Sequence, residues 1–248
     1  MEAHVDKLVT WLQEQVHQAG MKGLIVGLSG GIDSAVIAYL IKRAFPNDSL
    51  SVILPCKSHA GDANDALKVV EGCGIKNMTI DLTEAHDAVF SRVEKGINTL
   101  GDWKEDTRQL GDANLRARLR MSTIYTVANN YRYLVVGTDN AAEWYTGYFT
   151  KFGDGGCDLL PLVHYTKRQV RELAITLGVP EDIIVKPPSA GLWEGQTDEN
   201  EMGTTYDKID DFLEGKEIPE QDRQIIERLH QRSEHKRNLA ATPPKFSK

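Results

Sequence analysis

Four short apolar runs predict the strands of this protein. The runs are residues 24–28, 50–54, 78–81 and 133–137. Apolar positions recur with helical spacing around them, in residues 34–44, 63–71, 85–93, 111–130, 166–177 and 220–234. An opening amphipathic helix is indicated by Val5, Leu8, Val9, Leu12 and Val16. This alternation predicts a single α/β domain with a doubly wound, parallel sheet and helices on both faces. We expect the complete sheet to be five-stranded, with one strand more than the apolar runs identify.

Three segments lack clear periodicity. Residues 143–161 are rich in glycine and aromatic residues, so we expect a loop that forms part of a ligand site. Residues 186–203 have the composition of a mobile loop. We expect this loop to be a lid, of which residues 188–202 close over the ligand; disorder is the alternative. Residues 239–248 are predicted to be a tail of the single domain 1–248.

The charge and composition of the chain limit its partners. The 248 residues include 29 basic and 36 acidic ones, a net charge of −7, which disfavours a general nucleic-acid surface. No apolar run approaches the ~18–20 residues of a membrane span, and the polar N-terminus has no signal-peptide core. The three cysteines form no Cys-x-x-Cys pair, which disfavours a zinc site or a disulfide scaffold. We therefore expect a cytoplasmic protein without membrane or nucleic-acid partners.

Residues 27–34, Gly-Leu-Ser-Gly-Gly-Ile-Asp-Ser, join the first predicted strand to a helix. Backbone N–H groups at a helix N-terminus attract anions, and two adjacent glycines let a pyrophosphate approach the backbone. Asp33 stands where it can hold a Mg2+ bound to that pyrophosphate. The loop matches neither the Gly-x-x-x-x-Gly-Lys-Ser/Thr of P-loop enzymes nor the Gly-x-Gly-x-x-Gly of dinucleotide folds.

The same loop resembles the Ser-Gly-Gly-x-Asp-Ser sequence of the ATP pyrophosphatases, which split ATP between its α- and β-phosphates. The resemblance implies that pyrophosphate lies in the loop while AMP passes to an oxygen of the substrate. A glycine-rich turn with only a structural role is the alternative.

The helix predicted over residues 111–130 contains a cluster of polar donors. Asn114 and Arg118 are four positions apart and share one face, while Arg116 and Arg120 share another. The guanidinium fork of arginine matches a carboxylate or a phosphate, so these side chains are able to clamp such a group. A solvated basic face is the ordinary alternative.

Several further blocks resemble the ammonia-dependent NAD synthetases. Residues 114–121 are similar to the Asn-x-x-Ala-Arg-x-Arg-Met motif of that family. Residues 137–143, 146–162 and 166–168 follow in the family's order, and residues 235–237 match a further block near the end of the pattern. The resemblance covers the chain from about residue 27 to residue 189.

The resemblance implies a ligase with ATP, deamido-NAD and ammonia as substrates. The nicotinate carboxylate attacks the α-phosphate and releases pyrophosphate, which gives an adenylated carboxylate. Ammonia then attacks the acyl carbon and releases AMP and NAD. Activation is necessary because hydroxide is a poor leaving group, and the enzyme must stabilise charge on the pyrophosphate and exclude water.

The resemblance assigns roles only where this sequence matches the family's motifs. The implied ATP contacts are Gly27, Leu28, Ser29, Gly30, Gly31, Ile32, Asp33, Ser34, Thr138, Lys167 and Ser189. The implied Mg2+ ligands are Asp33, Glu143 and Asp154, which together with Lys167 are the implied catalytic residues. The implied deamido-NAD contacts are Asn114, Arg118, Tyr148, Lys151, Asp158, His235 and Lys236, with Tyr148 stacked on the pyridine ring.

The chain departs from the family pattern at three places. Ser189 stands where threonine is common, which keeps the hydroxyl and loses the methyl group. Cys157 occupies a position that often has a small residue, and we expect it to pack. Residues 56–66 do not match the family's version, so no contact with the adenine ring is assigned there.

Two other functions stay open at this stage. Another ATP pyrophosphatase, such as a GMP synthetase core or a tRNA-modifying enzyme, would share the loop but lack the blocks at residues 114–121 and 140–158. A non-catalytic nucleotide sensor would be expected to have lost Asp33, Glu143 or Asp154, and all three are present.

The nitrogen donor and the oligomeric state are separate questions. A glutaminase requires a further domain, and a chain of this length is too short for both, so we expect free ammonia unless a separate glutaminase subunit supplies it. The resemblance also implies a homodimer in which helices from both chains line the dinucleotide site.

Overall fold

Four parallel strands form the sheet in the computed structural model, which describes residues 1–58, 60–188 and 197–246. The strands are β1 (Gly23–Gly27), β2 (Ser49–Ile53), β3 (Lys76–Thr79) and β4 (Tyr133–Val136). Their spatial order is β3-β2-β1-β4, so the direction of winding reverses beside β1. Ligands of such sheets bind beyond the carboxyl ends of the strands at this switch point, which is where the glycine loop begins.

The prediction of five strands is wrong for the described residues, which form four. The chain does return to the outer side of β4, where Leu159 makes an isolated parallel bridge with Val136. Pro161 follows two residues later and has no N–H to donate to a ladder. This segment therefore lies beside β4 without becoming a strand.

Twelve helices are present in the described part of the chain. They are α1 (Glu2–Gln18), α2 (Ile32–Ala44), α3 (Ala60–Cys73), α4 (Thr83–Leu100), α5 (Arg108–Tyr131), α6 (Ala141–Thr146), α7 (Lys167–Leu177), α8 (Glu181–Ile184), α9 (Asp198–Met202), α10 (Tyr206–Leu213), α11 (Glu220–Arg232) and α12 (Glu234–Arg237). A 3-10 turn at Glu105–Thr107 precedes α5. Each helix predicted from periodicity is confirmed, whereas α6, α8, α9, α10 and α12 were not predicted.

Helices cover both faces of the sheet, as the doubly wound prediction requires. Leu24 belongs to a core cluster that contains side chains of α1, α2 and α7. Its neighbour Ile25 belongs to a second cluster, which contains side chains of α5. Successive residues of a strand point to opposite faces, and both are fully buried. The central strand β1 therefore lies between two layers of helices, and the loop that follows it starts from a rigid element.

A third, smaller cluster joins the later helices to the sheet edge. It consists of Ala142, Met202, Tyr206, Ile209 and Ile226, from α6, α9, α10 and α11. Because α6 begins soon after β4, this cluster holds α9 and α10 near the carboxyl ends of the strands.

Other predictions concern the ends and the environment of the chain. Part of the predicted lid lies outside the described residues, and its last described part forms α9. Residues 239–246, within the predicted tail, have no regular secondary structure. The three cysteines are free thiols. Of the helices described, none combines the length and apolar character needed to cross a membrane.

Candidate active site

The glycine loop, residues 27–34, is stabilised by hydrogen bonds within itself. Ser34 Oγ donates to the Gly31 carbonyl at 2.9 Å and accepts from the Ser29 N–H at 3.3 Å. Ser29 Oγ accepts from the Gly31 N–H at 3.2 Å. At the N-cap of α2, Gly31 has no side chain to cap the helix. The N–H groups of the first helical turn are therefore available to an anion.

Gly30 lies where the loop touches α3. Its φ of 81° falls in the left-handed region that favours glycine. A Cβ at this position would lie 2.7 Å from the Asp62 carbonyl oxygen and 2.9 Å from Asp65 Cβ. Lys186 Nζ donates to the carboxylates of the same two residues at 3.0 and 2.8 Å. The loop thus fits against α3 with no room for a side chain.

A largely buried ion cluster, consisting of Asp33, Glu143 and Lys167, lies at the first turn of α2. Lys167 Nζ is 2.5 Å from Asp33 Oδ2 and 3.5 Å from Glu143 Oε1. The lysine is only 2% exposed. Buried charges are costly unless they are paired, and here one cation faces two carboxylates. The structure thus brings together three of the residues that the sequence assigned to catalysis, from α2, α6 and α7.

The members of the ion cluster shift one another's protonation. Burial alone would lower the pKa of Lys167, but the attraction of Asp33 and Glu143 outweighs it and raises that pKa. Burial, together with the charge of Asp33, raises the pKa of Glu143 to about 7. Lys167 therefore stays charged, whereas Glu143 titrates near neutral pH.

Asn140 positions both carboxylates of the ion cluster. Its Nδ2 donates to Asp33 Oδ1 at 2.9 Å. Its Oδ1 accepts from the backbone N–H of Glu143, whose Oε2 accepts from the Asn140 N–H at 3.0 Å, and this pair forms a capping box at the start of α6. Asn140 was not among the predicted site residues, although an asparagine three residues before a glutamate is a known signal for a helix start.

Tyr206 contributes to the site from α10, and no motif indicated it. Its hydroxyl lies 2.9 Å from Glu143 Oε1 and 2.9 Å from Asp198 Oδ2. A phenol has one hydroxyl proton, so both contacts are hydrogen bonds only when one carboxyl is protonated. The hydrogen bond from Tyr206 lowers the pKa of Glu143, against the larger effects of burial and of the Asp33 charge, which raise it.

Asp210 connects α10 to the start of α7. It is fully buried, and its two carboxylate oxygens accept from the backbone N–H groups of Lys167 and Arg168 at 3.1 and 2.9 Å. A carboxylate at a helix N-terminus satisfies donors that have no partner within the helix. The position of Lys167 is therefore fixed from α10, and local sequence gave no sign of this.

Two more acids lie near the ion cluster. Asp154 Oδ1 accepts from the Thr150 N–H at 2.9 Å, and its side chain is exposed. Asp139 is 4% exposed, and its Oδ2 has no hydrogen-bond partner among the described residues. Burial, followed by the charges of Asp154 and the two carboxylates of the ion cluster, raises the pKa of Asp139. This part of the site has an excess of negative charge, which a cation would relieve.

The basic residues of α5 face two directions, as their spacing predicts. Arg118 is exposed, and its Nε and Nη2 each donate to the Lys151 carbonyl at 3.3 Å. Arg120 instead donates to the carbonyl of Leu54, just after β2, at 3.1 Å. Arg116 is buried and pairs with Asp112. Only the first of these directions leads to the segment that holds the other predicted dinucleotide contacts.

A pocket of about 310 Å³ brings several of those contacts together. Its lining includes Lys151, Cys157, Asp158 and Lys236. Lys236 Nζ donates to two backbone carbonyls just after α6, each at 2.8 Å. Lys151 Nζ donates to the carbonyl of His235, whose own side chain is exposed. The amines at this pocket thus contact backbone oxygens rather than carboxylates.

Asp158 and Cys157 also have structural partners in this pocket. Asp158 Oδ2 accepts from the Val135 N–H at 2.8 Å, and its Oδ1 accepts from the Tyr125 hydroxyl at 3.0 Å. Burial raises the pKa of the Cys157 thiol to about 12. Its Sγ would lie 2.5 Å from a Cβ at Gly137. Cys157 therefore packs as predicted and is a poor nucleophile at neutral pH.

Tyr148 lies between α6 and α9. Its hydroxyl is 3.2 Å from Asp198 Oδ1 and 2.7 Å from Glu201 Oε2. Its ring packs against the third core cluster. The side chain predicted to stack on a pyridine ring is thus fixed through its hydroxyl by α9.

The remaining predicted residues have simpler surroundings. Asn114 Oδ1 accepts from Thr150 Oγ1 at 2.7 Å, which joins α5 to the turn that contains Asp154. Thr138 is half-buried just after β4, at the same sheet edge as the glycine loop. Ser189 lies outside the described residues.

Comparison with known proteins gives one consistent family. The profile of the NAD synthase family matches residues 4–240. The chain is 58% identical over 239 residues to the NH3-dependent NAD+ synthetase of Alkaliphilus metalliredigens, and the match covers 96% of this chain and 97% of that protein.

Solved structures that are similar to the chain include an NAD+ synthetase and a protein with a different name. The chain is similar to the NMN synthetase of Francisella tularensis, with a TM-score of 0.89, 44% identity and 98% of each chain covered. It is also similar to the NAD+ synthetase of Burkholderia pseudomallei, with a TM-score of 0.79, 32% identity and coverage of 96% of this chain and 90% of that one.

Proposed function

The chain belongs to the NAD synthase family, and from this premise we propose that it amidates deamido-NAD to NAD with ammonia, converting ATP to AMP and pyrophosphate. The observation that supports this most strongly is the buried ion cluster beside the glycine loop. A binding protein without catalysis has no need to bury two carboxylates and a lysine where the phosphates of a nucleotide would lie. The family match also disfavours a GMP synthetase core or a tRNA-modifying enzyme.

The first step transfers AMP to the substrate. An oxygen of the nicotinate carboxylate attacks the α-phosphorus of ATP. The bond between the α-phosphorus and the oxygen that bridges it to the β-phosphorus breaks, and pyrophosphate leaves with the electron pair of that bond. The glycine loop offers backbone N–H groups to the leaving phosphates, and Lys167 offers a fixed positive charge. Thr138 and Ser189 are the further ATP contacts that we propose.

The second step forms the amide. Ammonia attacks the carbonyl carbon of the acyl adenylate, the tetrahedral intermediate collapses, and AMP leaves as the nitrogen loses a proton. Free ammonia is the direct nitrogen donor in this proposal. Water must be kept from the acyl adenylate, because hydrolysis would consume ATP without product.

The acids near the glycine loop fit a Mg2+ site. Asp33, Glu143 and Asp154 are the residues that would hold the ion, and the proposal is supported by buried Asp139 nearby, whose Oδ2 has no hydrogen-bond partner among the described residues. Among the residues that the structure describes, no three side chains converge to bind a metal by themselves. Mg2+ commonly takes one or two carboxylates and completes its shell with phosphates and water. When bound, it would offset the charge of the triphosphate.

The pocket lined by Lys151, Asp158 and Lys236 is the proposed dinucleotide side of the site. The guanidinium of Arg118 and the amine of Lys151 both donate to backbone carbonyls. The phosphates of deamido-NAD are stronger acceptors than backbone carbonyls. We assign Asn114, Tyr148 and His235 to the same side. Since the two sides take residues from most of the chain, we propose that residues 1–248 act as one domain.

A homodimer would explain an unusual surface of α4. In this helix of 18 residues, His86 is the buried residue. Val89, Val93 and Leu100 lie along one side and are 38%, 49% and 75% exposed, and Leu110 at the start of α5 is 65% exposed. An apolar stripe of this kind marks a protein interface. We propose that a second copy of the chain covers it.

One observation favours a second substrate. The similarity to an NMN synthetase is high, with a TM-score of 0.89 and 44% identity. Nicotinate mononucleotide carries the same reacting carboxylate as deamido-NAD and lacks only the adenylyl half. The same two steps would convert it to NMN, so this chain's own preference between the two substrates has to be measured.

The test uses purified protein with ATP, Mg2+ and ammonium, and offers deamido-NAD and nicotinate mononucleotide in parallel. Formation of NAD, AMP and pyrophosphate in equal amounts, with a higher kcat/KM for deamido-NAD, is the expected result. A higher kcat/KM for the mononucleotide would establish the second function instead. Glutamine in place of ammonium is expected to give little product. Absence of AMP with both substrates would refute the proposal.

A further inference from the structure

Tyr206 joins parts of the site that are distant in sequence. Its hydroxyl contacts Glu143 Oε1 and Asp198 Oδ2, each at 2.9 Å. Its ring lies beneath the ammonium group of Lys167, whose Nζ is 4.7 Å from the ring centroid. An aromatic face attracts a cation electrostatically, and the attraction is stronger where water is excluded. Tyr206 is 1% exposed, so this condition is met.

The helix that carries Tyr206 is fixed relative to Lys167. Asp210, one turn further along α10, accepts from the first two backbone N–H groups of α7. The side chain of Arg168 donates to Asp211 at 2.6 Å, which adds a second link between the two helices. The Tyr206 ring therefore has little freedom to move relative to the lysine.

The hydroxyl of Tyr206 restrains one particular atom. Glu143 Oε2 is already held by the Asn140 N–H in the capping box. Glu143 Oε1 is the atom that lies 3.5 Å from Lys167 Nζ, and Tyr206 contacts this same oxygen. Without the hydroxyl, the carboxylate would keep its contact with α6 but lose a restraint on the side that faces the lysine.

We propose that Tyr206 is a positioning residue, whose hydroxyl orients the Glu143 carboxylate and whose ring orients the Lys167 ammonium toward the phosphates of ATP. The inference rests on the proposed function, in which Glu143 is a Mg2+ ligand and Lys167 an ATP contact. Asp198 Oδ2 is the other acceptor for the hydroxyl and competes with Glu143 for its one proton. A tyrosine with only a packing role would need its ring but not this hydroxyl.

Tyr206→Phe tests the proposal, because it keeps the ring and removes the hydroxyl. ATP binding is measured by titration calorimetry with Mg2+ and again with a chelator, next to kcat and the KM for each substrate. We expect the dissociation constant of ATP with Mg2+ to rise about tenfold and kcat to fall about tenfold, as for a lost hydrogen bond to a charged group. ATP binding without Mg2+ and the KM for ammonium are expected to change less than about twofold, since neither involves Glu143.

Tyr39→Phe is the matched control. The Tyr39 hydroxyl donates to the Gly178 carbonyl at 3.2 Å, away from the ion cluster. This variant is expected to bind ATP and turn over like the wild type. Equal losses of ATP affinity in both variants would overturn the proposal, as would wild-type ATP affinity with Mg2+ in Tyr206→Phe.

Asp198→Asn gives a second route if Tyr206→Phe does not fold. It removes the charge that competes with Glu143 for the hydroxyl proton, so we expect a smaller change, of about threefold, in the same Mg2+-dependent affinity for ATP. No change in that affinity would overturn the positioning role. Because calorimetry with ATP does not depend on the acyl substrate, the result is readable even if the wild type fails to convert deamido-NAD, the outcome that would refute the proposed function itself.

Discussion

The nucleotide side and the dinucleotide side of the candidate site are held together in different ways. On the first, Lys167 makes buried contacts with two carboxylates. On the second, Arg118 and Lys151 contact backbone carbonyls nearer the surface. Paired charges are strong where water is excluded, and solvent screens exposed ones. The difference indicates that the fold itself assembles the nucleotide side, whereas the basic groups of the dinucleotide side are able to exchange a carbonyl for a ligand.

Replacing Lys167 by methionine has the largest expected effect. It leaves Asp33 and Glu143 beside each other, both largely shielded from solvent, without a cation, so we expect the free energy of unfolding to fall by about 3 kcal/mol. We expect kcat to fall by about 10²–10³-fold, as for the loss of a fixed charge at a reacting phosphate. Urea unfolding and steady-state kinetics measure the two effects. Lys68→Met is the control, because Lys68 pairs with Asp182 at the exposed surface.

Replacing Arg118 by alanine is expected to affect binding and leave stability unchanged. In the proposed site Arg118 donates to a phosphate of deamido-NAD, and loss of that charged hydrogen bond should raise the KM for deamido-NAD about 10–100-fold. The free energy of unfolding should change by less than about 0.5 kcal/mol, because the side chain is exposed. Arg43→Ala, which removes a surface pair with Glu2, is the control for loss of an arginine. A loss of stability comparable to that of Lys167→Met would show that the two sides do not differ as described.

The pH dependence of stability tests Glu143 directly. Its pKa is raised from 4.5 to about 7 in the folded protein, so the folded state binds more protons than the unfolded state between these values. The contribution of Glu143 is therefore fully present below pH 4.5 and is lost as pH rises through 7, by about 1–3 kcal/mol. Glu143→Gln is expected to lack this fall when unfolding is measured across the same range without Mg2+. Parallel curves for the two proteins would contradict the raised pKa.

Salt is expected to give the smallest and most selective effect. Raising the ionic strength from about 0.05 to about 0.5 M screens the exposed side, so the KM for deamido-NAD should rise a few-fold. The stability that depends on Lys167 should hardly change, because the ion cluster is buried. Two quantities are measured at each salt concentration: the KM for deamido-NAD, and the difference in the free energy of unfolding between wild type and Lys167→Met. The first reports on the dinucleotide side and the second on the nucleotide side. An equal effect of salt on both quantities would show that the two sides of the site do not differ in their exposure to solvent.

The buried strands were predictable because each contains a short run of mostly apolar residues. β1 and β2 coincide closely with the apolar runs, and nearly all of their residues are buried. β3 is an edge strand with mostly exposed residues, and it begins two positions before the predicted run. α10 was missed although Tyr206, Ile209, Asp210 and Leu213 have helical spacing. The local pattern of apolar residues thus identified the buried strands, and it was least accurate for the edge strand and for helices at the periphery of the sheet.

The candidate site shows the same limit. Asp33 and Glu143 lie in short motifs, so sequence comparison assigned them. Tyr206 acts on Glu143 from 63 positions away, and Asp210 acts on Lys167 from 43 positions away. Neither is part of a short motif, because each depends on how α10 packs. Side chains that position a site from another helix become visible only when the fold is known.

The contacts that Lys151 and Lys236 make across the pocket have a consequence for synthesis on the ribosome. These contacts join positions 84 and 89 residues apart. Residues 146–152 therefore leave the ribosome before the helices that contain their partners have been translated. The glycine loop is therefore translated long before the residues that complete this pocket. The pocket lined by Lys151 and Lys236 is able to form only after residue 236 has left the ribosome.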